Sequence, residues 1–145
     1  MSQLITRSGT PIRILMVEDN EGDVLLTREA LREAGIDNEM FCIRNGEAAI
    51  QFLREGAEAN PADLPGLILM DINMPKLSGH EVMADMRQDS RLSDIPVFLF
   101  TSSEAPADIQ QSKTNAANGY LVKPLDIDLF RRLVSATPGL AFAGE

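Results

Sequence analysis

The chain has 145 residues, of which 44% are apolar and 24% charged, with a net charge of −9 and one cysteine. That length suits about one domain, large enough to bury roughly 68% of the surface of its unfolded chain. The negative charge argues against a direct role on nucleic acid or an anionic membrane, the lone Cys42 against a disulfide framework or a cysteine zinc site, and the absence of any ~20-residue apolar run against a bilayer span. The N-terminal "MSQLITRSGTPIR" has no apolar stretch of signal-peptide length, so a cytoplasmic location is expected.

Short apolar runs alternate with helical patterns. "IRILMV" (12–17) reads as a buried strand, and "NEGDVLLTREALREAG" after it places Val24, Leu31 and Ala34 on one helical face and stops at Gly35. "EMFCIR" (39–44) is a weaker strand in which Cys42 is expected to be a buried thiol; "GEAAIQFLREG" (46–56) is a second helix, followed by a breaker-rich loop. Leu67 to Met70 form a third strand, ended by Asp71 and the turn formers Asn73 and Pro75. Ser78 and Glu81 make a capping box for a third helix running to about Gln88, with His80 in its first turn as a solvated surface residue. "IPVFLFTSS" is a fourth strand, "EAPADIQQSK" a polar helix, "GYLV" a fifth strand, and "DIDLFRRLVSA" a helix capped by Asp126.

Five strands alternating with five helices predict an α/β fold with an open, mostly parallel sheet and helices on both faces. Ligands bind outside the carboxyl ends of such strands. The residues at those ends are Glu18 and Asp19, Asp71, Thr101 and Ser102, and Lys123 with Pro124. Singly each has a structural role available: Glu18, Asp19 and Asp71 as caps, Thr101 as a strand-ending hydroxyl, Lys123 as a solvated charge. Jointly they do not, because two carboxylates about 4 Å apart repel by roughly 4 kcal/mol at an effective dielectric near 20, and something positive must neutralise them. All-oxygen donors without His or Cys favour a hard cation, Mg²⁺ above all. Asp19 and Asp71 would bind directly, the main-chain carbonyl of Asn73 would add a third oxygen, and Glu18 would act through water. Asp71 is then a plausible nucleophile toward a phosphoryl group, with Lys123 beside it and the Thr101 hydroxyl free to move to the new charge.

The segments "ILMVEDN", "LILMDINMPKLSG", "IPVFLFTSS" and "NGYLVKP", in this order and spacing, make the chain resemble the receiver domain of two-component response regulators. The resemblance implies a flavodoxin-like (βα)₅ doubly wound fold with strand order 2-1-3-4-5, a receiver over residues 12–136, an N-terminal extension (1–11) and a C-terminal tail (137–145). It implies that Asp71 takes a phosphoryl group from the phosphohistidine of a sensor histidine kinase, with Glu18 and Asp19 as the acidic pair for Mg²⁺. Thr101 matches the switch hydroxyl, Lys123 the phosphoryl-contacting lysine, and Tyr120 the aromatic switch whose ring turns inward; the Lys123–Pro124 bond is expected to be cis. Asn73 and Ser103 stand where the family tunes the lifetime of the phosphoryl group. Two departures stand out: the acidic pair is Glu-Asp, and Ala116 replaces a common Gly, so that Asn115 is expected to take the left-handed turn and end the fourth helix early.

The wording "VEDNEGD", "DSRLSDIP" and "LFTSSEA" is similar to stand-alone receivers that serve phytochrome-type kinases. No output domain is expected to follow, so output would pass through a surface offered to a downstream protein, without DNA or membrane binding. Members of that group tend to form homodimers. Phe130, Leu133, Leu140 and Phe142 are candidate contacts, against core packing for the first two and a loose tail for the others. Two competing functions are a receiver-like interaction module that never accepts phosphate, and an aspartate-nucleophile phosphatase, which would want a second aspartate where Asn73 stands.

Overall fold

The computed structural model describes residues 3–144. Its centre is a five-stranded, all-parallel sheet in the spatial order β3 (Met40–Ile43), β2 (Ile14–Val17), β4 (Leu67–Met70), β5 (Val97–Thr101), β6 (Gly119–Val122). Counting only these strands, the order is 2-1-3-4-5. The three inner strands are buried on both faces and therefore read as unbroken apolar runs, whereas β3 and β6 at the edges are only partly buried. That difference is why β3 gave the weaker sequence signal.

Alternation along the strands divides the core in two. Ile14, Met16, Leu67, Leu69, Phe98 and Phe100 face one side, where helices α1 (Glu21–Glu33) and α5 (Ile127–Ala136) supply Leu31, Phe130 and Val134. Leu15, Val17, Ile68, Met70, Val97 and Leu99 face the other, against α2 (Gly46–Ala59) and α3 (Gly79–Gln88). Phe98 and Phe130 meet edge to face, with ring centroids 5.9 Å apart. Burying each of these rings contributes about 2–3 kcal/mol.

The caps of α3 and α5 stand where expected: the Ser78–Glu81 box is complete, and Asp126 accepts from the Leu129 amide. Helix α2 runs three residues past Gly56, over which Leu64 packs, and ends where the Asn60 amide donates to the Gly56 carbonyl. Helix α4 (Pro106–Thr114) begins on its proline and ends in a Schellman motif, in which Ala117 donates to Ser112 and Ala116 to Lys113. The left-handed residue is Ala116, with φ of 58°, and not Asn115, whose φ is −86°. The motif's two hydrogen bonds require the positive φ at the position after the cap, whichever residue stands there.

The largest departure lies at the ends of the chain. β1 (Leu4–Thr6) pairs antiparallel with β7 (Leu140–Phe142) in a second, two-stranded sheet, so segments expected to be an extension and a tail are ordered together. Leu4, Leu140 and Phe142 are buried with the α1/α5 side of the core, and Asn38 clasps β1 by bonding the Leu4 amide, the Leu4 carbonyl and the Ile12 carbonyl. Phe130, Leu140 and Phe142 are thus core residues rather than surface contacts, and Leu133 packs half-buried against the same core. No described helix is long and apolar enough to cross a membrane.

Candidate functional site

The carboxyl ends of β2, β4, β5 and β6 meet at one rim. There the Glu18 amide donates to the Ile43 carbonyl at 3.0 Å and the Asp71 amide to the Val17 carbonyl at 3.0 Å, so each acid is held by one further ladder bond beyond its strand. Glu18 is 1% exposed, whereas Asp19, one residue on, faces solvent. Asn20 then caps α1, its side chain accepting from the Asp23 amide.

Glu18, Asp19 and Asp71 each bring a carboxylate oxygen within 4.8 Å of the others. Oδ1 of Asp71 accepts from the Ile72 amide at 2.8 Å, which fixes the carboxylate and turns Oδ2 toward Lys123. The Lys123 amide donates to the Thr101 carbonyl, and its Nζ donates to Glu18 at 2.6 Å, Asp23 at 2.8 Å and Asp71 at 3.5 Å. The Lys123–Pro124 bond is cis.

Burial pushes the Glu18 carboxyl up to about 7, with the Asp71 charge adding to the rise and the Lys123 hydrogen bond opposing it. For Lys123 burial favours the neutral amine, but hydrogen bonds to Asp23 and Glu18 outweigh it and leave the ammonium more basic than usual. One ammonium therefore pairs with three carboxylates, Glu18, Asp23 and Asp71, while Asp19, in the same acidic cluster, has no contact with it. The rim retains an excess of negative charge and offers only hard oxygen donors, a set that fits a small divalent cation.

The other expected residues lie around this centre. Thr101 is fully buried, its Oγ1 accepting from the Ser103 amide at 3.3 Å. Tyr120 is half-buried and donates its hydroxyl to the Ser103 carbonyl at 2.8 Å. Asn73 is exposed in the loop after β4. Cys42 is half-buried on the edge strand, its thiol donating to the Glu18 carbonyl, and burial is the main reason its acidity is weakened. His80 is not a solvated residue: it is 5% exposed, and its Nε2 lies 3.1 Å from Asp108. α3 turns it toward α4, which sequence order alone does not bring near.

Asp23 was missed altogether. Its only signal is its place three residues after the Asn20 cap, in the first turn of the helix that leaves the rim. The contact with Lys123 spans 100 residues of chain and is created by the fold.

An acidic cluster with a lysine at the carboxyl rim of a 2-1-3-4-5 parallel sheet defines a receiver. The chain belongs to the response regulator receiver domain family, whose model matches residues 14–135. Response regulator Rcp1 of Synechocystis sp. is 39% identical over 125 residues, covering 86% of this chain and 85% of that protein. The crystal structure of the Mn(2+)-bound form of Rcp1 matches with a TM-score of 0.70 over 85% of this chain and 89% of that one. The phosphorylated cyanobacterial phytochrome response regulator RcpA is 36% identical, with a TM-score of 0.71 over 86% of this chain and 90% of that one. The bacteriophytochrome response regulator AtBRR is 33% identical, with a TM-score of 0.76 over 87% and 91%. The protein is a phosphoacceptor of the response-regulator class, a signalling protein rather than a classical enzyme.

Proposed function

We propose that Asp71 is the residue that accepts the phosphoryl group, from the phosphohistidine of a sensor histidine kinase, and that the transfer switches a protein-interaction surface. The observation that carries this reading is the unequal setting of the two Asp71 oxygens: Oδ1 is tied to the Ile72 amide, while Oδ2 is turned to the acidic rim and meets the Lys123 ammonium only at 3.5 Å. Oδ2 attacks phosphorus as the bond to the histidine nitrogen breaks, and Lys123 balances the charge that builds on the transferring oxygens.

Asp19, Asp71 and the main-chain carbonyl of Asn73 would hold Mg²⁺, with Glu18 acting through water. When bound, the ion neutralises charge on the phosphoryl oxygens. Thr101, at the end of the strand beside Asp71, supplies a hydroxyl to the phosphorylated state, and Tyr120 responds to the loop that Thr101 heads. The likeness to phytochrome response regulators supports a phytochrome-type kinase as partner. The acidic charge supports a downstream protein rather than DNA or membrane as the target; a cytoplasmic location and a homodimeric assembly rest on the family resemblance.

Intact-mass measurement after incubation with acetyl phosphate and Mg²⁺ tests the reading. The wild type gains one phosphate and Asp71→Asn gains none. Equal labelling of both proteins moves the acceptor elsewhere.

A further inference from the structure

The β5–α4 loop is tied to α3 by polar contacts that phosphoryl transfer itself does not use. Ser103 Oγ donates to Asp108 Oδ2 at 2.6 Å, and Asp108 Oδ1 lies 3.1 Å from His80 Nε2. The Ser103 hydrogen bond, and after it that of His80, holds the Asp108 carboxyl below its ordinary range, so it is an ionised acceptor. Nε2 must then be the donor. Nδ1 of the same ring is buried with no hydrogen-bond partner among the described residues, which leaves Asp108 as the one polar group that orients it.

Each end of this chain of contacts touches a part of the phosphoryl site. His80 follows Gly79, whose amide donates to the Ile72 carbonyl at 2.9 Å and where a Cβ would stand only 2.2 Å from the Asp71 carbonyl oxygen. The α3 start is therefore seated on the backbone of the acceptor aspartate. At the other end the Ser103 amide donates to Thr101 Oγ1, and its carbonyl accepts from the Tyr120 hydroxyl. Thr101 and Tyr120 both rest on Ser103.

We propose that His80 and Asp108 are positioning residues that latch Ser103, and through it hold the Thr101 hydroxyl and the Tyr120 ring in the resting arrangement. The inference rests on the reading of Asp71 as acceptor and of Thr101 as the hydroxyl that meets the phosphoryl group. Turning Thr101 to a phosphoryl oxygen gives up the bond from the Ser103 amide, and moving the loop pulls against the Ser103–Asp108 bond. A contact made only in the resting state biases the two-state equilibrium toward rest. One charge-assisted hydrogen bond corresponds to about tenfold in that equilibrium.

Tyr120 is the only tyrosine and the chain has no tryptophan, so the tyrosine emission and ring resonances report on the surroundings of Tyr120. The test compares the full-length wild type with Asp108→Ala, Ser103→Ala, His80→Gln and the Ser103→Ala/Asp108→Ala double variant. The Tyr120 signal is read without a phosphodonor, and the rate of phosphate mass gain is then read with acetyl phosphate and Mg²⁺. Without donor, the single variants are expected to move the Tyr120 signal in the direction that phosphorylation moves it in the wild type. Labelling accelerates about tenfold, and the double variant goes no further than Asp108→Ala. A lowered melting temperature with unchanged Tyr120 signal and labelling rate overturns the latch, as do additive effects in the double variant. Asp108 is partly exposed, so its alanine variant decides the matter even if His80→Gln fails to fold. Should the wild type take up no phosphate, the acceptor reading falls; the Tyr120 comparison of unlabelled proteins then decides the latch alone, an unchanged signal in Asp108→Ala overturning it.

Discussion

Lys123 Nζ sits 2.6 Å from Glu18 and 2.8 Å from Asp23 but 3.5 Å from Asp71, so the flanking carboxylates rather than the acceptor hold the ammonium. Replacing it with glutamine leaves those acids facing one another. Lys123→Gln is expected to lose about 3 kcal/mol of stability without divalent ions, the usual consequence of removing one partner from a largely buried charge cluster. Mg²⁺ restores part of this loss, so the variant's melting temperature rises more on adding the ion than the wild type's does. Equal rises in calorimetry would show that the acids do not depend on Lys123.

Ala116 pays a conformational penalty at its φ of 58°, since a left-handed residue with a Cβ is disfavoured by ~1–2 kcal/mol, partly offset by the unfolded-state entropy that glycine adds. Ala116→Gly is expected to stabilise the protein by about 0.5–1 kcal/mol in urea titration. A destabilised variant would mean that the Ala116 methyl makes a compensating contact.

Gly79 has the opposite constraint, one of space rather than of φ. A methyl there would collide with the Asp71 carbonyl, and α3 would have to back away from the acceptor. Gly79→Ala is expected to destabilise by about 1–3 kcal/mol and to slow phosphate uptake from acetyl phosphate. Wild-type uptake in a destabilised variant would separate the seat of α3 from the chemistry.

Asp108 ties stability to acid. Its carboxyl is held below the ordinary value of 3.8 by the Ser103 hydrogen bond and then by His80. A depressed carboxyl contributes stability that is fully present above its unfolded value and disappears as the pH falls through the folded one. The melting-temperature advantage of the wild type over Asp108→Asn should therefore shrink as the pH falls below 3.8. An advantage independent of pH across that range would assign the effect to shape rather than charge.

Phe142 tests the terminal sheet. Its ring is 2% exposed, with the Arg131 guanidinium 5.1 Å from the ring centroid. Phe142→Ala is expected to lower stability by about 3 kcal/mol, as other emptied aromatic sites do. A change within experimental error in denaturant titration would leave β7 as a surface decoration.

By itself the sequence determined what local pattern can determine. The unbroken runs of β2, β4 and β5, the short run of β6, the Ser78–Glu81 box and the turn formers after Asp71 act over a few residues, and they were enough to place Glu18, Asp19, Asp71, Thr101 and Lys123 at one rim. Only the tertiary structure decided the rest. Glu18 is buried and Asp19 exposed because one ladder bond to Ile43 turns two adjacent acids to different surroundings. Asp23 joins Lys123, His80 joins Asp108, and Leu4 pairs with Phe142, each across a separation that no periodicity spans. Three-residue strands such as β1 and β7 carry too few side chains to show a period, and their pairing becomes favourable only when the folded core brings both ends of the chain to the same apolar face.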